Sequence, residues 1–207
     1  MIHKYGSEYT SAGRVYIQAS LHSDEIPGML VANYLIKLLD EADSRGEIKK
    51  EIVIVPYANP IGLSQFLFGT HLGRFSLDST TNFNREWKNF TSDVWESVKD
   101  KLTANADENT RIIRAAISEV LGKIIPTTEE ASLKHLLLQE SSISDVVMDL
   151  HCDCNAVMHM YTHDRLWPEL VRALTLYQLA TCLNITILNL SGGFGKGIGF
   201  AVPTPRC

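Results

Sequence analysis

Residues 14–41 read RVYIQASLHSDEIPGMLVANYLIKLLDE and indicate the fold class of the chain. Apolar and polar residues alternate over 14–21, as expected of a β-strand, and residues 29–41 then carry apolar side chains at helical spacing. A β-branched run within EIVIVPYANP, residues 51–60, predicts a second strand that ends at a proline. A strand, a helix and another strand in this order are typical of a parallel sheet covered by helices.

The rest of the chain extends this pattern. Glycine and polar residues over 61–90 predict a long irregular loop, and loops of that length tend to carry function. The remaining elements are predicted as helices near 91–103, 108–124, 129–140 and 167–183, and as strands over 144–153, 156–162 and 184–190. The predicted fold class is therefore α/β, with a mostly parallel or mixed sheet flanked by helices, and 207 residues suit a single domain.

Composition excludes several functional classes. The net charge is −5 and the basic residues are scattered, so we expect no nucleic-acid partner. No apolar run is long enough to cross a bilayer and the N-terminus lacks a secretory core, so we expect no membrane partner and a cytoplasmic protein. The four cysteines are expected to be reduced thiols, with Cys152 and Cys154 as small core residues or, less plausibly, a second metal or redox site.

Two histidines and a glutamate stand where strands end. His22 follows the first strand, His151 ends the strand over 144–153, and Glu25 lies one turn beyond His22, before the Pro27–Gly28 pair that is expected to form a bend. Sites in open α/β sheets form at the carboxyl ends of strands. Two imidazoles, one carboxylate and an open position make a catalytic zinc site. The alternative is a solvated helix start with an ordinary surface histidine.

Five motifs in order carry a resemblance. The chain from about residue 14 to 193 resembles the succinylglutamate desuccinylase/aspartoacylase family of zinc-carboxypeptidase-like (phosphorylase/hydrolase-like) hydrolases, through HSDE (22–25), ANPIGLSQ (58–65), GRF (73–75), NFNREW (82–87) and DLHCD (149–153). The resemblance implies Zn²⁺ held by His22, Glu25 and His151. It also implies that Asn84 and Arg85 grip a substrate carboxylate, and that Arg74 polarises the scissile carbonyl.

The implied function is hydrolysis of the amide bond in a small N-acyl amino acid or a similar carboxylate-bearing molecule. Zinc supplies a Lewis acid and a nucleophilic water at neutral pH. A guanidinium offers a planar fork to a carboxylate, which suits Arg85 to an acidic substrate. A carboxypeptidase acting on short peptides needs the same site, and a metal-binding remnant without turnover is the alternative from another class.

The C-terminal sequence departs from the family pattern. Members use a downstream glutamate as general base, whereas this chain has its last aspartate at Asp164 and its last glutamate at Glu169. The single zinc-hydrolase domain is therefore expected over 1–207, with an atypical tail over about 193–207 and the family's C-terminal region missing, through a frameshift or a shortened gene. Whether Asp164 or Glu169 replaces the base stays open.

The sequence leaves open which residues support the site. Asp24, Asp149 and Asp153 are equal candidates to orient a ligand imidazole. Histidines outside the proposed site are expected to be structural, and Tyr161 is expected to line the pocket; the histidines concerned are His71, His159 and His163.

Overall fold

A computed structural model of the protein describes residues 1–7, 13–152, 160–161 and 186–189. The strands are β1 (His3–Tyr5), β2 (Arg14–Ala19), β3 (Glu51–Val55), β4 (Phe66–Leu67), β5 (Thr70–His71), β6 (Val146–His151), β7 (Met160–Tyr161) and β8 (Thr186–Asn189). The helices are α1 (Ile26–Ser44), α2 (Pro60–Leu63), α3 (Thr91–Val98), α4 (Ala106–Gly122) and α5 (Glu129–Ser141).

The described strands form a mixed sheet of order β1-β3-β2-β6-β8-β7 beside the small β4-β5 hairpin. The central pairs β3·β2 and β2·β6 are parallel. Strand β1 pairs antiparallel with β3, and β8 pairs antiparallel with β6 but parallel with β7. The predicted α/β class, with a mixed sheet and flanking helices, is confirmed.

Successive side chains of β2 point to opposite faces of the sheet, and apolar side chains lie on both faces. Ile17 and Ala19 pack with Ala32 of α1 on one face. Tyr16 packs on the other face with Leu133 of α5. A strand buried on both faces is expected of the centre of a helix-covered sheet.

A third apolar cluster joins α3 to α4, away from the sheet, through Val94, Val98 and Leu121. Both helices have apolar residues at helical spacing, which predicted them correctly. Asn105 caps α4 by accepting the backbone N–H groups of Asp107 and Glu108.

Three details differ from the sequence predictions. Pro27 and Gly28 lie in the first turn of α1 and do not form a separate bend, because proline is well tolerated where helix N–H groups lack partners. The segment predicted as a loop over 61–90 contains the end of α2 and the β4-β5 hairpin. The edge strand β1 was not predicted, since three residues are too few to show a period.

The predicted strand over 156–162 is described at β7 and that over 184–190 at β8. The predicted helix over 167–183 and the tail from 193 lie outside the described residues. Within the part of the chain that the structure describes, no helix combines the length and apolar character needed to span a membrane. The single domain over 1–207 stays a prediction.

Candidate metal centre

His22, Glu25 and His151 form a buried cluster although they lie far apart in the sequence. One ligand atom from each side chain lies within 4.8 Å of those of the other two. The imidazole rings meet edge to face with centroids 5.0 Å apart. The predicted convergence of these three side chains is therefore observed.

Strand topology explains the meeting. Strands β2 and β6 are parallel neighbours with Ala19 opposite Leu150, so their carboxyl ends lie side by side and His151 is the last residue of β6. Beyond β2, Ser20 adopts a left-handed φ of 67°, at the point where the strand ends. The Glu25 N–H then donates to the carbonyl of His22 at 3.1 Å, and this turn directs both side chains towards His151.

Gly73 supports the turn from the other side. Its carbonyl accepts the Ser23 N–H at 2.9 Å. A Cβ at Gly73 would lie 2.4 Å from the backbone nitrogen of Asp24, which no side chain tolerates. The turn over residues 22–25, which carries the candidate ligands and is called the ligand-bearing turn below, therefore requires glycine at this contact.

The Glu25 carboxylate lies at the centre of the cluster. Its Oε1 is 3.0 Å from Nδ1 of His22 and 2.5 Å from Nη2 of Arg74. Its Oε2 is 2.8 Å from Nδ1 of His151 and accepts the Cys152 N–H at 2.7 Å. Burial opposes its ionisation, but hydrogen bonds from the two histidines hold the pKa of Glu25 well below its usual range.

The outer ring nitrogens face acceptors. Nε2 of His151 lies 2.8 Å from Oδ2 of Asp149, and Nε2 of His22 lies 2.9 Å from Oδ1 of Asn82. Burial would lower the pKa of His151, but the Asp149 and Glu25 carboxylates raise it to about 10. Of the two candidate aspartates that the structure describes, Asp24 and Asp149, Asp149 is the one that contacts a candidate ligand imidazole.

This donor set fits a zinc ion. Both Nδ1 atoms and a carboxylate oxygen converge while each Nε2 has an acceptor, which is how metal-binding histidines are usually oriented. Two imidazoles and a carboxylate are also the ligand set of catalytic zinc sites with an open position.

The residues predicted to act on the substrate differ in their distance from the cluster. Arg74 reaches Glu25 with a side chain that is 40% exposed. The Asn84 side chain lies with Nδ2 3.2 Å from Nε2 of His151, and its Oδ1 accepts the Trp87 indole N–H. Arg85 is exposed and its guanidinium donates to the Asn84 carbonyl. The structure thus brings Arg74 and Asn84 to the cluster and leaves Arg85 at its rim.

Other predicted residues have ordinary positions or lie outside the described residues. His71 Nε2 is 3.0 Å from the carbonyl of Gly62, in keeping with a structural histidine. Asp24 is exposed, 4.0 Å from Nε of Arg74, and Tyr161 is exposed at the end of β7. The predictions made for Asp153, Cys154, His159, His163, Asp164 and Glu169 fall outside the described residues.

Sequence reasoning missed the contact that Asn82 makes with His22. Asn82 lies within the NFNREW motif, but 60 positions separate it from His22 and no periodicity links them. Its place two residues before Asn84 was the available clue, because asparagine often accepts a hydrogen bond from the backbone two residues on.

Known proteins give an independent comparison. A family model described as the succinylglutamate desuccinylase/aspartoacylase catalytic domain matches residues 11–188. No curated protein matches the chain. A solved structure from Shewanella amazonensis SB2B, described as of this family, superposes with a TM-score of 0.67 at 20% identity over 92% of the chain. One from Shewanella frigidimarina NCIMB 400, described likewise, has a TM-score of 0.60 at 25% identity over 77%.

The chain spans 60% of the first of these proteins and 42% of the second. At 20% identity, the first likeness concerns the fold, whereas the family model matches the sequence itself. Because that match includes both histidines, the glutamate and most of the sheet, the chain belongs to the succinylglutamate desuccinylase/aspartoacylase family.

Proposed function

We propose that the protein is a zinc-dependent hydrolase of the amide bond in a small N-acyl amino acid or a similar carboxylate-bearing substrate. The observation that carries this proposal is the convergence of His22, Glu25 and His151 within 4.8 Å, buried at the carboxyl edge of the sheet. Because the chain belongs to this family, we take this cluster as the site of the amide hydrolysis.

The three side chains of the cluster would hold the ion. When bound, zinc supplies a Lewis acid for the carbonyl and lowers the pKa of water to about 7. Asp149 and Asn82 accept from the outer imidazole nitrogens, which keeps the inner nitrogens of His22 and His151 directed at the ion.

Arg74 and Arg85 supply positive charge around the opening. Arg74 contacts Glu25 and is only partly buried, so its guanidinium is available to the carbonyl oxygen of a substrate beside the ligands. Arg85 is exposed one residue beyond Asn84, where a guanidinium fork suits a carboxylate. A substrate with a carboxylate near its amide would use both groups.

A second candidate is metal and carboxylate binding without turnover. The observation that favours it concerns the carboxylates beside the two imidazoles. Among the described residues, the carboxylates that contact the imidazoles are Glu25 and Asp149, and hydrogen bonds to histidine already occupy both. Turnover therefore requires a base from another part of the protein.

The experiment combines zinc content with hydrolysis. The protein is incubated with Zn²⁺, dialysed, and assayed for bound metal and for activity on N-acyl amino acids and short peptides. We expect about one zinc per chain and release of the free amino acid from an N-acyl amino acid. Cleavage of peptides alone would identify a carboxypeptidase, and zinc without either activity would identify the binding protein.

Paired variants test the ligands. His151→Ala should abolish zinc binding, since three protein ligands leave little redundancy. His135→Ala, on α5 and outside the cluster, is the matched control and should bind zinc normally. Absence of zinc from the wild-type protein, or equal zinc in the His151 variant, would defeat the proposal.

A further inference from the structure

The side-chain oxygen of Asn82 serves two partners at once. It lies 2.9 Å from Nε2 of His22 and also accepts the backbone N–H of Asn84 at 2.8 Å. One amide oxygen thus joins a candidate metal ligand to the turn that carries the candidate substrate-binding residues Asn84 and Arg85.

The bond from the backbone N–H of Asn84 determines which nitrogen of His22 carries the hydrogen. A backbone N–H is always a donor, so the atom of Asn82 that faces Asn84 must be the carbonyl oxygen. The same oxygen faces His22, hence the Nε2 of His22 must carry the hydrogen. The remaining nitrogen, Nδ1, is the one that faces Glu25 and the cluster.

Residues 73–85 form a hairpin, distinct from the β4-β5 hairpin, that holds Asn82 in place. Phe75 and Asn82 form an antiparallel bridge, and the N–H of Phe83 donates to the carbonyl of Arg74 at 3.1 Å. Phe83 is fully buried in the cluster around Tyr16. This hairpin, residues 73–85, therefore carries Arg74, Asn82 and Arg85 as one unit anchored in the core.

We infer that Asn82 is a positioning residue for the metal centre and links it to the substrate-binding turn. It keeps His22 in the form that offers Nδ1 to the ion, and it fixes the position of Asn84 and Arg85 relative to that ligand. The inference rests on the proposed function, because it concerns the same zinc site.

The two histidines differ in the charge of their outer partners. His151 faces the buried carboxylate of Asp149, whereas His22 faces a neutral amide. A neutral acceptor orients the ring without adding negative charge. An aspartate at position 82 keeps an acceptor oxygen there, so it should preserve the orientation of His22 and increase its basicity.

A purely structural role is the competing explanation, since asparagine also stabilises turns. Asn89 provides the matched control, because its Oδ1 accepts the N–H of Thr91 at 3.0 Å in the same two-residue pattern. Among the described residues, Asn89 makes no hydrogen bond to a histidine. Asn89→Ala therefore removes a hydrogen bond of the same type at a position that does not contact the candidate metal centre.

The experiment measures Zn²⁺ affinity by competition with a chelator for the wild-type protein and for Asn82→Ala, Asn82→Asp and Asn89→Ala. We expect about 10–100-fold weaker binding for Asn82→Ala, the loss typical of removing a partner of a ligand imidazole. Asn82→Asp should bind within about threefold of the wild type or more tightly, and Asn89→Ala should be unchanged. Affinity retained in Asn82→Ala, or an equal loss in Asn89→Ala, would overturn the inference.

A measurement on the wild-type protein covers the case in which Asn82→Ala fails to fold. In ¹⁵N spectra of the zinc-loaded protein, His22 should carry its proton on Nε2 and bind through Nδ1; the reverse assignment refutes the role of Asn82. A wild-type protein that binds no zinc would remove the proposed function and this inference together. Zinc binding without the expected effects at position 82 would remove the inference alone.

Discussion

Replacing Asp149 with asparagine tests the metal centre most directly. Asp149 is 2% exposed and its Oδ2 lies 2.8 Å from Nε2 of His151. Its Oδ1 has no hydrogen-bond partner among the described residues. Asparagine has nearly the same shape, but it loses the charge that supports the imidazole, and its NH₂ group would lack an acceptor at the Oδ1 position or would face the N–H of His151.

The magnitude follows from the role of this carboxylate. Loss of a carboxylate that supports a ligand histidine typically weakens metal affinity about 10–100-fold. At about 1.4 kcal/mol per factor of ten, that corresponds to about 1.4–2.8 kcal/mol of binding free energy. We expect Asp149→Asn to bind Zn²⁺ in this reduced range and to remain folded, since no side-chain volume is lost.

Asp24→Asn is the matched control. It makes the same chemical change next to the ligand Glu25, but Asp24 is exposed and is 4.0 Å from the partly exposed Arg74. Its zinc affinity should stay within about threefold of the wild type. The assay is chelator competition at fixed pH, with urea unfolding of each metal-free variant to show that it is folded. Wild-type affinity in Asp149→Asn, or a greater loss in Asp24→Asn, would refute this reasoning.

Three further predictions follow from other contacts. Gly73→Ala should lower zinc affinity or stability because its Cβ would meet the ligand-bearing turn at 2.4 Å, whereas Gly122→Ala, with nothing within 4 Å, should be neutral in the same assays. Burial opposes ionisation of Glu140, but hydrogen bonds from a buried arginine and a lysine lower its pKa. The ionised carboxylate should therefore stabilise the fold above about pH 4.3, and this contribution should be lost as the pH falls further. Glu140→Gln should lower the free energy of unfolding in urea by about 2 kcal/mol at pH 7 and weaken its dependence on acid pH, whereas Glu119→Gln on the surface should do neither. Arg85→Ala should raise KM for a carboxylate substrate and leave zinc content unchanged, and a loss of zinc would count against its place at the rim.

The sequence predicted the parts of the molecule that follow simple periods. Alternation predicted β2, a strongly apolar run predicted β6, and the strand-helix-strand order predicted a mostly parallel sheet. That β2 and β6 are neighbours was a hypothesis, and the structure confirms it. Because parallel strands end at one edge, the meeting of His22 and His151 was predicted on the condition that these two strands are neighbours. Asp149 was among three candidates, since two residues along a strand return to the same face.

The parts that could not be predicted depend on the path of irregular chain. The apolar residues of the hairpin over 73–85 show no regular spacing. The course of this hairpin depends on individual contacts such as the close approach of Gly73 to the turn at 22–25. The contact of Asn82 with His22 joins two loops, so neither sequence segment indicates it alone. The turn over 22–25 was expected to be followed by a bend at Pro27, yet the helix begins there directly.

The hairpin over residues 73–85 contacts the candidate ligands through several side chains. Glu25 and His151 are held by the sheet edge and the start of α1, whereas Arg74 and Arg85 belong to the hairpin. Arg74 of the hairpin donates to Glu25, and the side-chain amide of Asn84 lies beside His151. A further link is made by Asn82. Because its oxygen also accepts from His22, a shift of the hairpin must either break that bond or rotate the imidazole. The candidate substrate-binding residues of the hairpin and the candidate ligand His22 are therefore expected to respond together to changes at Asn82.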